Sequence, residues 1–451
     1  MQGTNDLTQG PIMSTLMKLT IPIIATNLIS TTYGLVDMIW VGGLGSGPVA
    51  AIGTASFFIN LAIALSTMIT IGTGIKVSHC MGAGQGEQAK SYIKNGFIMS
   101  MVLGLLYMVL IILTQDQLIG FFDLGSEKVE HMAKQFLLIS IVGTLFSILN
   151  TLYATVLNAM GNSKQPFYIF SMGLILNIIL DPFLIYGVGS FEGLGVAGAA
   201  IATLTANVLV TLLFIIKTKN LEMISKQSVW NSRLMKEVIR LGVPITIQRV
   251  TFTIISIIIA KIIVRWGADA IAVQKVGIQI ESISYMTIGG LQGAIAAFFG
   301  QNYGARQWDR IRQGYRKALL LTSIFGTFIS LVFILFPQQL FSLFLSDDTS
   351  MKLGEDYMRI IGFSQLFMCM ELMTVGAFNG IGKTHIPPIF SILFTALRIP
   401  LALLLSEPFG LNGVWMAIAL SSVFKGIILV IWFRKSMRSI YKSLQFLNEQ
   451  G

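Results

Sequence analysis

The sequence predicts an all-α polytopic membrane protein, on three observations: few charged residues, regularly spaced apolar stretches, and a repeat between the two halves of the chain. Hydrophobic residues make up 54% of the 451 residues, and charged residues only 12%. Soluble globular domains carry about 25% charged residues. The chain therefore has too little polar surface for a water-soluble fold, and helices satisfy their own backbone hydrogen bonds in lipid.

About twelve apolar stretches are long enough to cross a bilayer, since a helical span needs about 20 residues. No long stretch alternates with the period of two that a β-barrel requires. We expect spans near residues 16–40, 50–77, 93–114, 134–156, 166–187, 194–216, 238–263, 270–299, 317–336, 355–378, 386–406 and 411–433.

The net charge of +10 is explained by membrane topology. Taken together, the N-terminus, every second loop and the C-terminus hold most of the Lys and Arg residues that lie outside the spans, and basic residues favour the cytoplasmic side. We therefore expect both termini in the cytoplasm, a location in the plasma membrane, and no nucleic-acid partner.

The two halves of the chain resemble each other at a constant offset of about 220 residues. Leu16-Met-Lys-Leu-Thr-Ile-Pro22 matches Val238-Ile-Arg-Leu-Gly-Val-Pro244, and two later segments match in the same way. We expect a six-helix lobe at 1–216, a cytoplasmic linker at 217–237 and a second six-helix lobe at 238–451. Six spans return the chain to the same side, so a pseudo-two-fold axis along the membrane normal would relate the lobes, with the substrate cavity between them.

Charged side chains within spans are functional candidates, because each costs about 2.5–3.5 kcal/mol at the membrane centre. Asp37 and Asp181 lie at similar depths in spans 1 and 5. Tyr33 and Asn177 each precede one of them by four residues and so share its helix face, while Thr203 reaches a similar level from span 6. These oxygens could bind a proton, or Na⁺ at Asp37, Asn177, Asp181 and Thr203; the alternative is that the acids only pair or cap neighbouring helices.

Pro22 lies in the same span as Asp37, and a proline inside a helix removes a hydrogen bond and produces a kink. A kink that responds to protonation of Asp37 would couple ion binding to conformation. A fixed bend is the alternative, and Pro244 occupies the matching place in span 7.

The second half carries buried charges of both signs, for which internal ion pairs are the simplest explanation and substrate binding or gating the alternative. They are Arg249, Glu281, Glu371, Arg398 and Lys425.

Met is frequent in the chain, and a flexible thioether suits a cavity that accepts varied apolar ligands, although most Met side chains simply pack. The candidate cavity residues are Asn150, Met172, Glu281, Glu371 and Arg398.

Enzymatic chemistry, metals and cofactors are not expected. Cys80 and Cys369 stand far apart, and the three His residues are scattered singly, so neither a disulfide framework nor a metal site follows. No Gly-x4-Gly-Lys-Ser/Thr phosphate loop is present. We expect a monomer.

Three segments resemble signatures of the multidrug and toxic compound extrusion (MATE) family, most closely its DinF-like branch. They are Val36-Asp37-Met-Ile-Trp-Val-Gly-Gly-Leu-Gly45, Leu176-Asn177-Ile-Ile-Leu-Asp181-Pro182 followed by Gly195-Val-Ala-Gly-Ala-Ala-Ile-Ala-Thr203, and Gly300-Gln-Asn-Tyr-Gly304.

The resemblance implies a secondary antiporter that exports cationic or amphiphilic drugs by alternating access, in exchange for H⁺ or Na⁺. It also implies that Asp37, Asn177 and Asp181 couple the ion, with Tyr33 beside them and Pro22 as the kink. Other branches carry an acid in the middle of span 7, where this chain reads Gln248-Arg249-Val-Thr-Phe-Thr253. This departure favours protons over Na⁺. A lipid-linked oligosaccharide flippase of related architecture, with Arg249 and Arg398 at a headgroup site, is the remaining alternative.

Overall fold

The computed structural model describes residues 6–219, 230–344 and 348–448. Twelve helical segments within them are long and apolar enough to span a membrane, which confirms the predicted all-α polytopic fold. The helices are α1 (Ile12–Gly42), α2 (Ser46–Gly82), α3 (Gly86–Gly120), α4 (Glu127–Ala159), α5 (Lys164–Tyr186), α6 (Val196–Thr218), α7 (Ser232–Ile263), α8 (Ala268–Gly304), α9 (Trp308–Leu335), α10 (Pro337–Phe341), α11 (Asp348–Gly380), α12 (Ile386–Ala396), α13 (Arg398–Phe409) and α14 (Leu411–Asn448).

Two small elements interrupt this pattern. A two-residue antiparallel pair, β1 (Gly187–Val188) and β2 (Phe191–Glu192), joins α5 to α6. A short 3-10 turn, Val264–Trp266, follows α7.

Most helices extend beyond the predicted apolar stretches, because a helix continues through polar residues after it leaves the hydrocarbon. The span predicted at 386–406 is found at Ile386–Phe409, within which a one-residue turn at Leu397 separates α12 from α13. Pro400 has no N–H to donate to the carbonyl four residues earlier, which weakens the helix at this point.

Contacts between residues divide the chain into two compact units that interleave along the sequence. Unit 1 contains Ile21–Gly242, and unit 2 contains Leu7–Thr20 together with Val243–Gly451. The chain thus passes from one unit to the other immediately before Pro22 and again immediately before Pro244. These are equivalent positions of the repeat, whereas the sequence analysis drew its lobes at 1–216 and 238–451. Part of the predicted linker, 220–229, lies outside the described residues.

Specific polar contacts explain this interleaving. At the start of α7, the carboxylate of Glu237 accepts hydrogen bonds from Lys76, at 2.6 Å, and from the hydroxyl of Tyr92, at 2.5 Å, both within unit 1. In unit 2, the guanidinium of Arg310 donates to the backbone carbonyls of Leu7, Gln9 and Gly10. The first turns of α7 are therefore held within unit 1, although the rest of α7 belongs to unit 2. The segment before α1 is held within unit 2, although most of α1 belongs to unit 1.

A central helix organises each unit. In unit 1, α4 packs against α2, α3 and α6, and α5 packs against α6. In unit 2, α11 packs against α8, α9 and α14, and α13 packs against α14. The start of α7 approaches α2 closely, since a Cβ on Gly242 would lie 2.0 Å from the carbonyl oxygen of Met68.

Candidate ion-coupling site

Four polar side chains from three helices of unit 1 meet in one cluster, which we call the acidic cluster: Asp37 on α1, Asn177 and Asp181 on α5, and Thr203 on α6. The Asn177 Nδ2 lies 3.3 Å from Asp37 Oδ1 and 3.2 Å from Asp181 Oδ1. The Thr203 hydroxyl donates to Asp37 Oδ2 at 2.9 Å and lies 3.5 Å from Asn177 Nδ2. The structure therefore brings together four of the five residues that the sequence analysis selected.

Local sequence explains why α5 and α6 place these groups together. Asn177 and Asp181 are one helical turn apart and point to the same side. A Cβ on Gly198 of α6 would lie 2.3 Å from the carbonyl oxygen of Leu184 on α5. Only a residue without a side chain allows this approach, which brings Thr203 of α6 within reach of Asn177.

The acidic cluster is buried, and among the described residues no Lys or Arg forms an ion pair with either of its carboxylates. Asn177 and Asp181 are fully buried, and Asp37 is 9% exposed. Two buried oxygens, Asn177 Oδ1 and Asp181 Oδ2, have no hydrogen-bond partner among the described residues. Because buried polar atoms in proteins are nearly always satisfied, these two oxygens are free to accept a further donor or ligand.

The carboxyl groups of Asp37 and Asp181 are joined through the side-chain amide of Asn177, whose Nδ2 lies 3.3 Å from Asp37 Oδ1 and 3.2 Å from Asp181 Oδ1. An ionised carboxylate only accepts hydrogen bonds. Two carboxyl groups in this arrangement therefore form a hydrogen bond only when they share a proton. The oxygen donor set also suits a hard cation such as Na⁺.

Tyr33, the fifth predicted member, has a different hydrogen-bond partner. Its hydroxyl donates to the backbone carbonyl of Phe170 on α5 at 3.3 Å. A Cβ on Gly173 would lie 2.3 Å from this hydroxyl oxygen, so the glycine leaves room for the ring. Tyr33 therefore joins α1 to α5 beside the acidic cluster. Near the end of the same two helices, the Tyr186 hydroxyl donates to the carbonyl of Trp40, a contact that no motif indicated.

The predicted cavity residues of unit 1 lie in different surroundings. Asn150 on α4 donates to the carbonyl of Asn207 at 3.0 Å and accepts from the Thr211 hydroxyl at 2.7 Å, so its side chain joins α4 to α6. Met172 is 51% exposed. Pro22 lies inside the continuous helix α1, and the Thr26 hydroxyl donates to its carbonyl at 2.8 Å.

The charges in the interior of unit 2 include one close ion pair. Lys425 Nζ lies 3.1 Å from Glu371 Oε2, and the Ser391 hydroxyl donates to the other oxygen of Glu371. The predicted internal pairing therefore holds for these two side chains.

Neutral partners hold two other buried charges of unit 2. Glu281 accepts hydrogen bonds from the Tyr357 hydroxyl and the Gln365 amide. Arg398 donates to the hydroxyls of Ser421 and Ser422. Sequence reasoning missed these four partners, because nothing distinguishes them from other polar residues within spans.

Twelve spans and a buried acidic cluster define an integral membrane protein with the architecture of a transporter. Across the described ranges, no three His, Cys, Asp or Glu side chains are grouped so as to hold a metal ion. The MatE family model matches the chain twice, at residues 22–183 and 244–404. The protein therefore belongs to the MatE family, as the motifs indicated, and the two matches correspond to its two similar halves.

Individual relatives are similar over nearly the whole chain. The probable multidrug resistance protein NorM of Thermotoga maritima is 26% identical over 94% of this chain and 92% of its own. The probable multidrug resistance protein YoeA of Bacillus subtilis is 28% identical, covering 92% and 93%. An outward-facing multidrug resistance MATE transporter of the MOP superfamily superposes with a TM-score of 0.87 at 23% identity, covering 96% and 98%. This structure shares the fold.

Proposed function

We propose that this protein is a secondary antiporter that exports cationic or amphiphilic compounds in exchange for protons. Its family membership supports a transport function, and relatives such as NorM and YoeA are named as probable multidrug resistance proteins. No chemical change of the transported compound is part of the proposal. We further propose a monomer in the plasma membrane with both termini in the cytoplasm.

The observation that carries the proposal is that Asp37 and Asp181, both buried, share the amide of Asn177 without a basic partner among the described residues. Two buried negative charges repel strongly in a medium of low dielectric constant. A proton entering the acidic cluster removes one of these charges and allows a hydrogen bond between the two carboxyl groups. Release of the proton restores the repulsion, so the cluster has two states of different energy.

Helix α1 is well suited to respond to this difference. Asp37 and Tyr33 join it to α5 and α6 through side-chain hydrogen bonds. A ligand shifts a conformational equilibrium only by its difference in affinity for the two states. We propose that the charge of the acidic cluster supplies this difference, with Pro22 as the point where α1 bends.

Na⁺ coupling through the same cluster is the second candidate. The unpartnered oxygens of Asn177 and Asp181 support it, because hard cations select oxygen ligands. In that case Na⁺ replaces the shared proton between the carboxyl groups, and the remainder of the cycle is unchanged.

The test is uptake of a fluorescent lipophilic cation into proteoliposomes under an imposed pH gradient or an imposed Na⁺ gradient. We expect the pH gradient alone to drive uptake by the wild-type protein and Asp37→Asn to abolish it. The matched control is Asp116→Asn, since Asp116 is an exposed acid paired with Lys134, and it should transport normally. Uptake driven only by the Na⁺ gradient would instead support Na⁺ coupling. If neither gradient drives uptake, both coupling proposals are rejected.

A further inference from the structure

Arg398 is a buried cation in unit 2 that lacks a carboxylate partner. It begins α13, directly after the helix break at Leu397, and is 7% exposed. Its Nε donates to the Ser421 hydroxyl, and its Nη2 donates to the Ser422 hydroxyl at 3.2 Å, both on α14. The guanidinium carbon lies 5.7 Å from the centre of the Phe252 ring on α7.

These contacts leave hydrogen-bonding capacity unused. A guanidinium has five N–H donors, and the two serine hydroxyls account for two of them. Within the described ranges, the other three have no acceptor and no carboxylate oxygen lies within ion-pairing distance of the guanidinium. A buried charge is costly unless it is paired, so an anion at this position would gain both charge neutralisation and hydrogen bonds.

The acids of the same unit are already engaged elsewhere. Glu371 is paired with Lys425 and Ser391, and Glu281 accepts from Tyr357 and Gln365. Both carboxylates are near enough to interact electrostatically with Arg398, but neither forms a direct contact with its fork. The two serine hydroxyls thus fix the position of the Arg398 guanidinium, and among the described residues no carboxylate contacts it to neutralise its charge.

Two partly exposed aromatic side chains offer a surface for a ligand. Phe252, whose ring centre lies 5.7 Å from the guanidinium carbon, is 44% exposed, and Tyr285, one helical turn after Glu281 on α8, is 40% exposed. A planar fork matches a carboxylate in a bidentate manner, while exposed aromatic rings provide an apolar surface for the rest of a ligand. The combination fits a compound with one carboxylate on an apolar or aromatic body.

We propose that Arg398 binds the carboxylate of zwitterionic and anionic amphiphiles, so that the substrates of this transporter extend beyond simple cations. The inference rests on the proposed export function for its physiological meaning, but binding tests it independently. Ser421 and Ser422 would orient the fork, and Phe252 and Tyr285 would contact the ring system of the ligand.

The experiment compares two dyes that differ at one group: a cationic rhodamine methyl ester and its zwitterionic free acid. Equilibrium binding to the full chain in lipid nanodiscs is measured by fluorescence anisotropy. Arg398→Gln should weaken binding of the free acid by about tenfold or more, the scale of a lost charge-assisted hydrogen bond. Binding of the ester should change by less than about twofold, because the ester offers no charged acceptor to the fork.

Two further variants sharpen the result. Arg398→Lys keeps the buried charge but loses the fork, so its loss of free-acid binding should be intermediate. Arg359→Gln is the control, because Arg359 is an exposed residue paired with Glu355 on α11, and it should leave both affinities unchanged. If neither Arg398 variant folds, the wild-type protein must still bind the free acid about tenfold more tightly than the dye's neutral carboxamide.

A parallel loss of affinity for both dyes, or no loss for the free acid, would overturn the proposal and reduce Arg398 to an anchor between α13 and α14. Failure of the wild-type protein to bind the free acid would also overturn it. Failure of the pH gradient to drive ester uptake would instead contradict proton-coupled export and leave the binding result intact. The two proposals therefore fail by different measurements.

Discussion

The two units surround their buried carboxylates with different partners. In unit 2, Glu371 lies 3.1 Å from Lys425, so the protein supplies its own counter-charge. In unit 1, the hydrogen-bond partners of Asp37 and Asp181 among the described residues are neutral, namely Asn177 and Thr203. The first arrangement supplies its counter-charge from the chain, whereas in the proposed function the second takes its cation from solution.

This difference separates a structural role from a coupling role. A permanent ion pair has no reason to exchange protons during a cycle, because each charge stabilises the other. An acidic pair without a cation changes its charge whenever a proton or Na⁺ enters. We therefore expect substitutions in unit 1 to affect coupling, and substitutions of the Glu371–Lys425 pair to affect stability.

The largest expected effect is the loss of coupling when either acid of the acidic cluster is neutralised. Asp181→Asn should abolish uptake driven by the pH gradient, as Asp37→Asn should, because one remaining carboxyl group has no charged partner with which to share the proton. The double variant should be no worse than either single one, since residues that act as a unit give non-additive effects. Initial rates in proteoliposomes measure all three.

The protein's thermal stability provides the control for that experiment. Neutralising an acid that lacks a basic partner should not lower the unfolding temperature in detergent, because no ion pair is lost. If the losses of uptake rate in the two single variants add up in the double variant, Asp37 and Asp181 act separately. That result would contradict the interpretation that they share a proton.

A large effect on stability is expected in unit 2. Glu371→Gln leaves the buried Lys425 ammonium without its counter-charge, and breaking a buried pair in this way costs about 3–5 kcal/mol. Replacing both partners, as in Glu371→Leu with Lys425→Met, should restore most of this loss, because an apolar pair of similar volume avoids the desolvation penalty. Denaturant titration in mixed micelles measures the free energy of unfolding.

The same variants also test the comparison between the units. The double variant should retain transport driven by the pH gradient, if the pair is purely structural. Loss of coupling in a stable double variant would assign an ion-coupling role to unit 2 and contradict the division proposed here.

The sequence predicted much of this arrangement, for physical reasons that can be named. Hydropathy located the spans, because the bilayer sets their length and composition. Counting residues from the cytoplasmic ends placed Asp37 and Asp181 at equal depth, and the four-residue spacing added Asn177. Depth in the membrane and spacing along a helix do not determine toward which neighbouring group a side chain points. For this reason the sequence predicted Tyr33 as a member of the acidic cluster.

Features that depend on contacts between distant segments could not be predicted in this way. The serines that hold Arg398 lie on α14, more than 20 residues away in sequence, and depend on how α13 and α14 pack. The assignment of Leu7–Thr20 to unit 2 depends on Arg310, nearly 300 residues away in sequence. No local pattern carries this information.

The smallest expected effect decides whether Tyr33 belongs to the acidic cluster. Its hydroxyl makes one hydrogen bond, to the carbonyl of Phe170, and Tyr33→Phe removes this bond while keeping the ring. A single neutral hydrogen bond contributes about 0.5–1.5 kcal/mol, so the free energy of unfolding should fall by no more than that amount. Thr203→Val is the matched comparison, because it removes a hydroxyl that donates to Asp37 itself.

If the hydroxyl of Tyr33 only joins α1 to α5, Tyr33→Phe should leave the pH dependence of transport unchanged, whereas Thr203→Val should shift it. Thr203 donates to the ionised form of Asp37, so its loss makes proton release harder and moves the transport profile toward higher pH. Rates measured across a series of external pH values distinguish the two variants. An equal shift for Tyr33→Phe would mean that the tyrosine hydroxyl turns to the acidic cluster during the cycle, and the site would then have five members.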